Sequence, residues 1–102
     1  MNLTLLDRLV LSGLIPKDKT TYEDIIIGKD ITKKVEITQD DLTKYEIKQA
    51  ENGGLQWKQN DDTFDYEFTE AEKALVKRLL TAKNEAKEMS VDLIGLYKLF
   101  VA

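Results

Sequence analysis

Histidine and cysteine are absent from all 102 residues, and proline occurs once. Without imidazole or thiol, the chain has neither the commonest general base nor the most nucleophilic side chain. It also lacks the nitrogen and sulfur ligands of zinc. A disulfide scaffold is excluded. The two serines, Ser12 and Ser90, have no histidine to activate them. The five glycines form neither a phosphate-binding loop nor a dinucleotide fingerprint. No apolar run approaches the roughly 20 residues that span a bilayer. The opening Leu3-Thr4-Leu5-Leu6 is broken at once by Asp7 and Arg8, so a secretory leader is not expected either. These absences point to a cytoplasmic, non-enzymatic protein with no cofactor, no metal, no membrane partner and no evident small-molecule substrate.

What is present suits a packed domain. Hydrophobic residues make up 42% and charged residues 33%, a globular balance in a chain near the modal size for one domain. A single compact domain over 1–102 is therefore expected. The net charge is −4, and it is unevenly spread: residues 35–68 hold nine acids against three lysines, and the rest is slightly basic. Nucleic-acid binders usually carry a basic excess or stripe, so this balance argues against nucleic acid as the partner.

Helical signals open the chain. Asn2 is a candidate N-cap, and Leu3, Leu6 and Val10 with Leu5 and Leu9 give a broad apolar face from about Leu3 to Ser12. Gly13 in the left-handed conformation, followed by Pro16, suits the stop. Thr20 and Glu23 have capping-box spacing. The stretch Tyr22 to Val35 reads two ways. Tyr22, Ile26 and then Ile27, Ile31, Val35 recur at helical spacing, while the β-branched run around Gly28-Lys29-Asp30 fits a hairpin. Lys33 and Lys34 suit a helix C-terminus and favour the helix. Thr38 then caps a short helix to about Lys44, with Asp40 and Asp41 in its first turn.

Tyr45 to Phe68 predicts a three-stranded antiparallel meander. Asn52-Gly53-Gly54 supplies one turn and Asp61-Asp62 the other. With those turns Gln49 faces Trp57, Trp57 faces Tyr66 and Lys58 faces Asp65. Tyr45, Ile47, Leu55, Trp57, Phe64, Tyr66 and Phe68 then share the buried face. Thr69-Glu70-Ala71-Glu72 opens a strong helix with an apolar stripe Ala71, Leu75, Leu79, Ala82, Ala86. Ser90 caps a last helix whose apolar side is Leu93, Ile94, Tyr97, Phe100 and Val101. The fold class is therefore α+β: N-terminal helices, a central meander and a C-terminal helical hairpin.

The acids Asp61, Asp62, Asp65 and Glu67 lack calcium-loop spacing and read as a solvated sheet face. No carboxylate pair has the apolar surround that would drive its pKa values apart for catalysis. The exposed side of the Lys-rich helix contributes Lys73 and Lys77. These six residues are the candidate interaction surface, for a protein partner or for self-association. The order of three helices and a hairpin also fits a winged-helix nucleic-acid binder, with Thr38 to Lys44 as reading helix and Asn52-Gly53-Gly54 as wing tip. An acidic nucleic-acid mimic acting on a basic host protein is a further alternative.

Three stretches, Leu6 to Pro16, Thr38 to Trp57 and Leu96-Tyr97-Lys98-Leu99-Phe100-Val101, together resemble small uncharacterised accessory proteins of phages and prophages. The resemblance implies a viral or mobile-element accessory protein and carries no mechanism or site residue with it.

Overall fold

The computed structural model describes residues 1–51 and 53–102. Asn52, the first residue of the expected wing-tip turn, lies outside the described residues. Threonine caps open the first four helices. The Thr4 hydroxyl accepts from the Asp7 N–H and the Asp7 carboxylate accepts from the Thr4 N–H, which starts α1 (Leu5–Leu14). The same reciprocal pairing joins Thr38 to Asp41 before α3 (Gln39–Lys44) and Thr69 to Glu72 before α4 (Glu70–Glu85). Each pairing satisfies two N–H groups that a helix start otherwise leaves without a partner. Between them, α2 (Tyr22–Lys34) resolves the helix-or-hairpin ambiguity in favour of helix. Its cap is Thr21 accepting from Asp24, not Thr20 with Glu23, and the Thr20 hydroxyl donates to Asp24 instead. A 3₁₀ turn at Val91–Leu93 leads into α5 (Ile94–Phe100). Ser90 precedes that turn without making the side-chain cap the sequence suggests.

The start of the chain departs from its sequence reading. Asn2 does not cap a helix. Asn2–Thr4 is a strand, β1, and it pairs antiparallel with a strand far away in sequence, β4 (Thr63–Asp65), as Asn2↔Asp65, Leu3↔Phe64 and Thr4↔Thr63. Extension turns Leu3 fully into the core, 0% exposed, and leaves the Thr4–Asp7 box to begin the helix two residues later than predicted. Gly13 remains inside α1 rather than closing it. The helix ends at Ile15, which is extended as the residue before a proline prefers.

Consequently the expected meander is two separate two-stranded sheets. β2 (Lys48–Gln49) pairs with β3 (Leu55–Gln56) as Lys48↔Gln56 and Gln49↔Leu55, so Gln49 does not face Trp57. Ala50 N–H donates to Gly54 O at 2.7 Å, and Gly53 takes the left-handed φ of 87° that glycine tolerates best. This register sends Leu55 to solvent, 52% exposed, instead of to the buried face. Trp57 leaves the ladder, Lys58 N–H donating to Tyr45 O, and the expected Trp57–Tyr66 and Lys58–Asp65 pairings give way. Asp62 is drawn to the Tyr45 hydroxyl at 2.6 Å and to Lys44 at 3.7 Å, which opens the Asp61-Asp62 turn. The alternation of Phe64, Tyr66 and Phe68 toward the interior does hold. Those rings contact Tyr45, each other and Phe100 at centroid distances of 5.7–6.0 Å.

The core gathers Leu3, Leu11, Ile31, Leu75, Leu80 and Leu96 with Phe68. α4 lies along α2 and pairs with α5 as the C-terminal helical hairpin. Its buried stripe is Glu72, Leu75, Val76 and Leu80, rotated from the predicted alanine stripe; Ala71, Ala82 and Ala86 do not form its buried centre. The larger Val76 and Leu80 side chains exclude more apolar area from water than alanines would, which decides the rotation.

Two glycines of opposite character predict opposite responses. A Cβ on Gly28 of α2 would stand 2.6 Å from the Ile15 Cγ2, whereas one on Gly13 would meet nothing within 4 Å. Gly13→Ala should stabilise the protein by up to about 1 kcal/mol through helix propensity. Gly28→Ala should destabilise it by about 1 kcal/mol or more, because overpacking against a buried isoleucine outweighs the same gain. Urea unfolding of the two variants checks the signs.

Three carboxylates brace the helices and make stability pH-dependent. Arg78 grips Asp24 with two hydrogen bonds of 2.9 and 3.0 Å, and this hydrogen bonding holds the Asp24 carboxyl below its ordinary pKa. Burial pushes Asp41 up, but hydrogen bonds from the Thr38 N–H and from Arg8 outweigh it, and its pKa is lowered. Burial likewise raises Glu72, and Lys34 with the Thr69 N–H overcomes it, again leaving the pKa lowered. A lowered folded pKa means the unfolded chain binds protons first. The contribution is complete above the unfolded carboxylate range, about pH 5, and is lost as pH falls through the depressed folded values. Thermal midpoints should therefore be flat from about pH 5 to 7 and fall steeply below about pH 4. A midpoint that rises on acidification would contradict the bracing.

Candidate functional site

The six residues singled out from sequence do not converge. Asp61 and Glu67 are exposed. Asp62 is engaged by Tyr45 and Lys44, and Asp65 accepts from the Met1 amino group at 2.9 Å. Lys73 lies 3.6 Å from Glu70 on its own helix, and Lys77 lines a shallow depression on α4. Thr63, Asp65 and Glu67 do share the solvent side of the β4 segment, opposite its inward aromatics. Among the described residues, no three Asp or Glu side chains gather where they could hold a metal ion, and no helix is long and apolar enough to cross a membrane.

A different surface has the build of a site. α1 ends at Ile15-Pro16, and that corner lies on α2 at Gly28, whose missing Cβ permits the approach. The contact leaves an apolar slot of about 240 Å³ lined by Ile15, Pro16, Ile25 and Gly28, with Lys17, Lys29 and Thr32 at its rim. It adjoins a second, more open hollow of about 420 Å³ that shares Lys17, Lys29 and Thr32 and adds Ser12, Lys33, Glu36 and Ile37. The result is one groove with an apolar end and a basic end, in which three lysines face one acid.

The outer side of α2 continues this surface. Tyr22, Ile26, Lys29 and Lys33 are spaced by four, three and four residues and so form one stripe along the helix. Tyr22 is 69% exposed and Ile26 43%. The opposite side of the helix, with Asp24, Gly28 and Ile31, is buried. The Thr32 hydroxyl donates to Lys29 O, which ties it to its own helix. The stripe is visible in the sequence once Tyr22 to Val35 is taken as helix. The groove is not, because nothing local says that Pro16 meets Gly28.

Arg8 positions the lower end of the groove. It is 3% exposed, donates to Val35 O and Glu36 O, and pairs with Asp41 at 2.9 Å. Its guanidinium also lies 4.4 Å from the Phe64 ring centroid. The link from α2 to α3, which carries Glu36 and Ile37 into the groove wall, is thereby held against α1.

Family models, curated proteins and solved structures were compared with the chain, and none matches.

Proposed function

We propose that this chain is a non-enzymatic protein-interaction module, an accessory protein of a phage or mobile element, which binds through the α2 stripe and its groove. One observation carries the reading. A tyrosine and an isoleucine stand exposed on α2 in line with Lys29, and Lys29 also lines the apolar slot between α1 and α2. Exposed aromatic and aliphatic anchors next to a pocket are the usual energetic centre of a protein interface. The phage or mobile-element setting is what the sequence resemblance implies.

The test is affinity capture on the immobilised full chain, with a Tyr22→Ala/Ile26→Asp variant alongside. Both positions are exposed, so circular dichroism should be unchanged. A partner of the native chain should be lost from the variant by about tenfold or more. Equal capture by both would refute the α2 surface.

A nucleic-acid reading takes support from the element order, three helices followed by the β2–β3 hairpin. Against it, α3 carries Asp40 and Asp41 with Lys44 alone, and Lys44 is already near Asp62. Phosphate neutralisation needs several exposed cations on the reading face. Duplex DNA should show no retardation by the protein at low salt, and strong retardation would favour this reading over the first.

A further inference from the structure

Resting on the interaction-module reading, we propose that the occupant of the α1–α2 groove is an acidic peptide segment with an aliphatic anchor, supplied by a partner protein. Charge fixes the sign. Lys17, Lys29 and Lys33 line the hollow against Glu36 alone. None of the three lysines takes part in the ion pairs found among the described residues. An approaching carboxylate therefore meets ammonium groups that need not first give up an internal partner. Exposed pairs of this kind are individually weak, so they steer and orient more than they bind.

Shape fixes the anchor. The slot of about 240 Å³ between Ile15, Pro16, Ile25 and Gly28 is apolar and has the dimensions of one or two branched aliphatic side chains. Burial of such a side chain, driven by the loss of wetted carbon surface, outweighs any single rim ion pair. The anchor thus gives affinity and the lysines give selectivity for acidic flanks. The hydrophobic stripe of Tyr22 and Ile26 extends the contact beyond the slot.

The same features disfavour a nucleic-acid strand. A phosphate backbone gains nothing from an aliphatic slot, and the whole chain carries −4, which repels a polyanion at long range. A short acidic segment with one apolar anchor tolerates that field better, since it brings few charges and buries carbon.

The experiment is selection from a random peptide display library on the immobilised full chain, with counter-screening against Lys29→Glu/Lys33→Glu and Ile25→Asp. Circular dichroism and thermal midpoints confirm that the variants fold; the lysine pair, both exposed, keeps the test sound if Ile25→Asp does not. Enriched peptides should carry Asp or Glu beside Leu, Ile or Val. Their affinity should fall by about tenfold or more in the lysine variant and should weaken with added salt. Enrichment of basic or uncharged peptides overturns the proposal. Enriched peptides indifferent to both substitutions overturn the groove while leaving the interaction-module reading in place. No enrichment overturns it as well, and a salt-sensitive dimer by light scattering would then assign the surface to a second copy.

Discussion

Arg8→Met should lower the unfolding free energy by about 2–4 kcal/mol, because it removes a buried guanidinium from a partly buried carboxylate and from two carbonyls, of which Val35 O is the buried one. Methionine keeps most of the volume, so the loss is electrostatic. Asp41 would keep its Thr38 N–H but lose the guanidinium, and Val35 O and Glu36 O would lose their donors. A carbonyl left buried without a donor costs about 1–3 kcal/mol. Against a total stability of about 5–15 kcal/mol for a domain of this kind, the change is severe. Arg8→Lys should also be costly, because one ammonium cannot reproduce the planar fork that reaches two carbonyls and a carboxylate. Urea unfolding measures both variants. Hydrogen exchange adds a regional readout, since protection should fall first from Val35 through Asp41, the wall of the groove. A loss under about 1 kcal/mol for Arg8→Met would show that the pair is not the hub the geometry makes it.

Leu3→Ala should cost about 2–5 kcal/mol, the range for truncating a fully buried leucine. For a domain near 100 residues this corresponds to a fall in the thermal midpoint of about 10 °C or more. The prediction separates two descriptions of the same three residues. In a frayed first helical turn, Leu3 would be partly wet and its truncation nearly harmless. In β1 it sits opposite Phe64 at 0% exposure, and its loss leaves a cavity beneath the β1–β4 pair. Leu55→Ala is the matching control, since that leucine is 52% exposed and should change stability by no more than about 0.5 kcal/mol.

Much of the helical frame is legible from short-range chemistry. Thr38 with Asp41 and Thr69 with Glu72 announce helix starts because capping is a contact between residues three apart, and no distant element need be known. The departures share a cause. Asn2 to Thr4 reads as a helix start until β4, far along the chain, offers it a partner. The register of β2 on β3 differs from expectation because keeping Leu55 and Trp57 on a common buried face requires a roof that the tertiary fold does not supply.

The candidate site divides in the same way. The chain's order of side chains is enough to place Tyr22, Ile26, Lys29 and Lys33 on one line, to empty the molecule of imidazole and thiol chemistry, and to set an acidic stretch against a weakly basic remainder. Only folding brings the Ile15-Pro16 corner onto Gly28 and so opens the groove, and only folding commits Asp62 and Asp65 to internal partners. Periodicity and capping act within a helical turn or two, so they are written locally. Which corner meets which helix is decided by the joint burial of Leu3, Ile31, Leu75 and Leu80, a property of the whole chain at once.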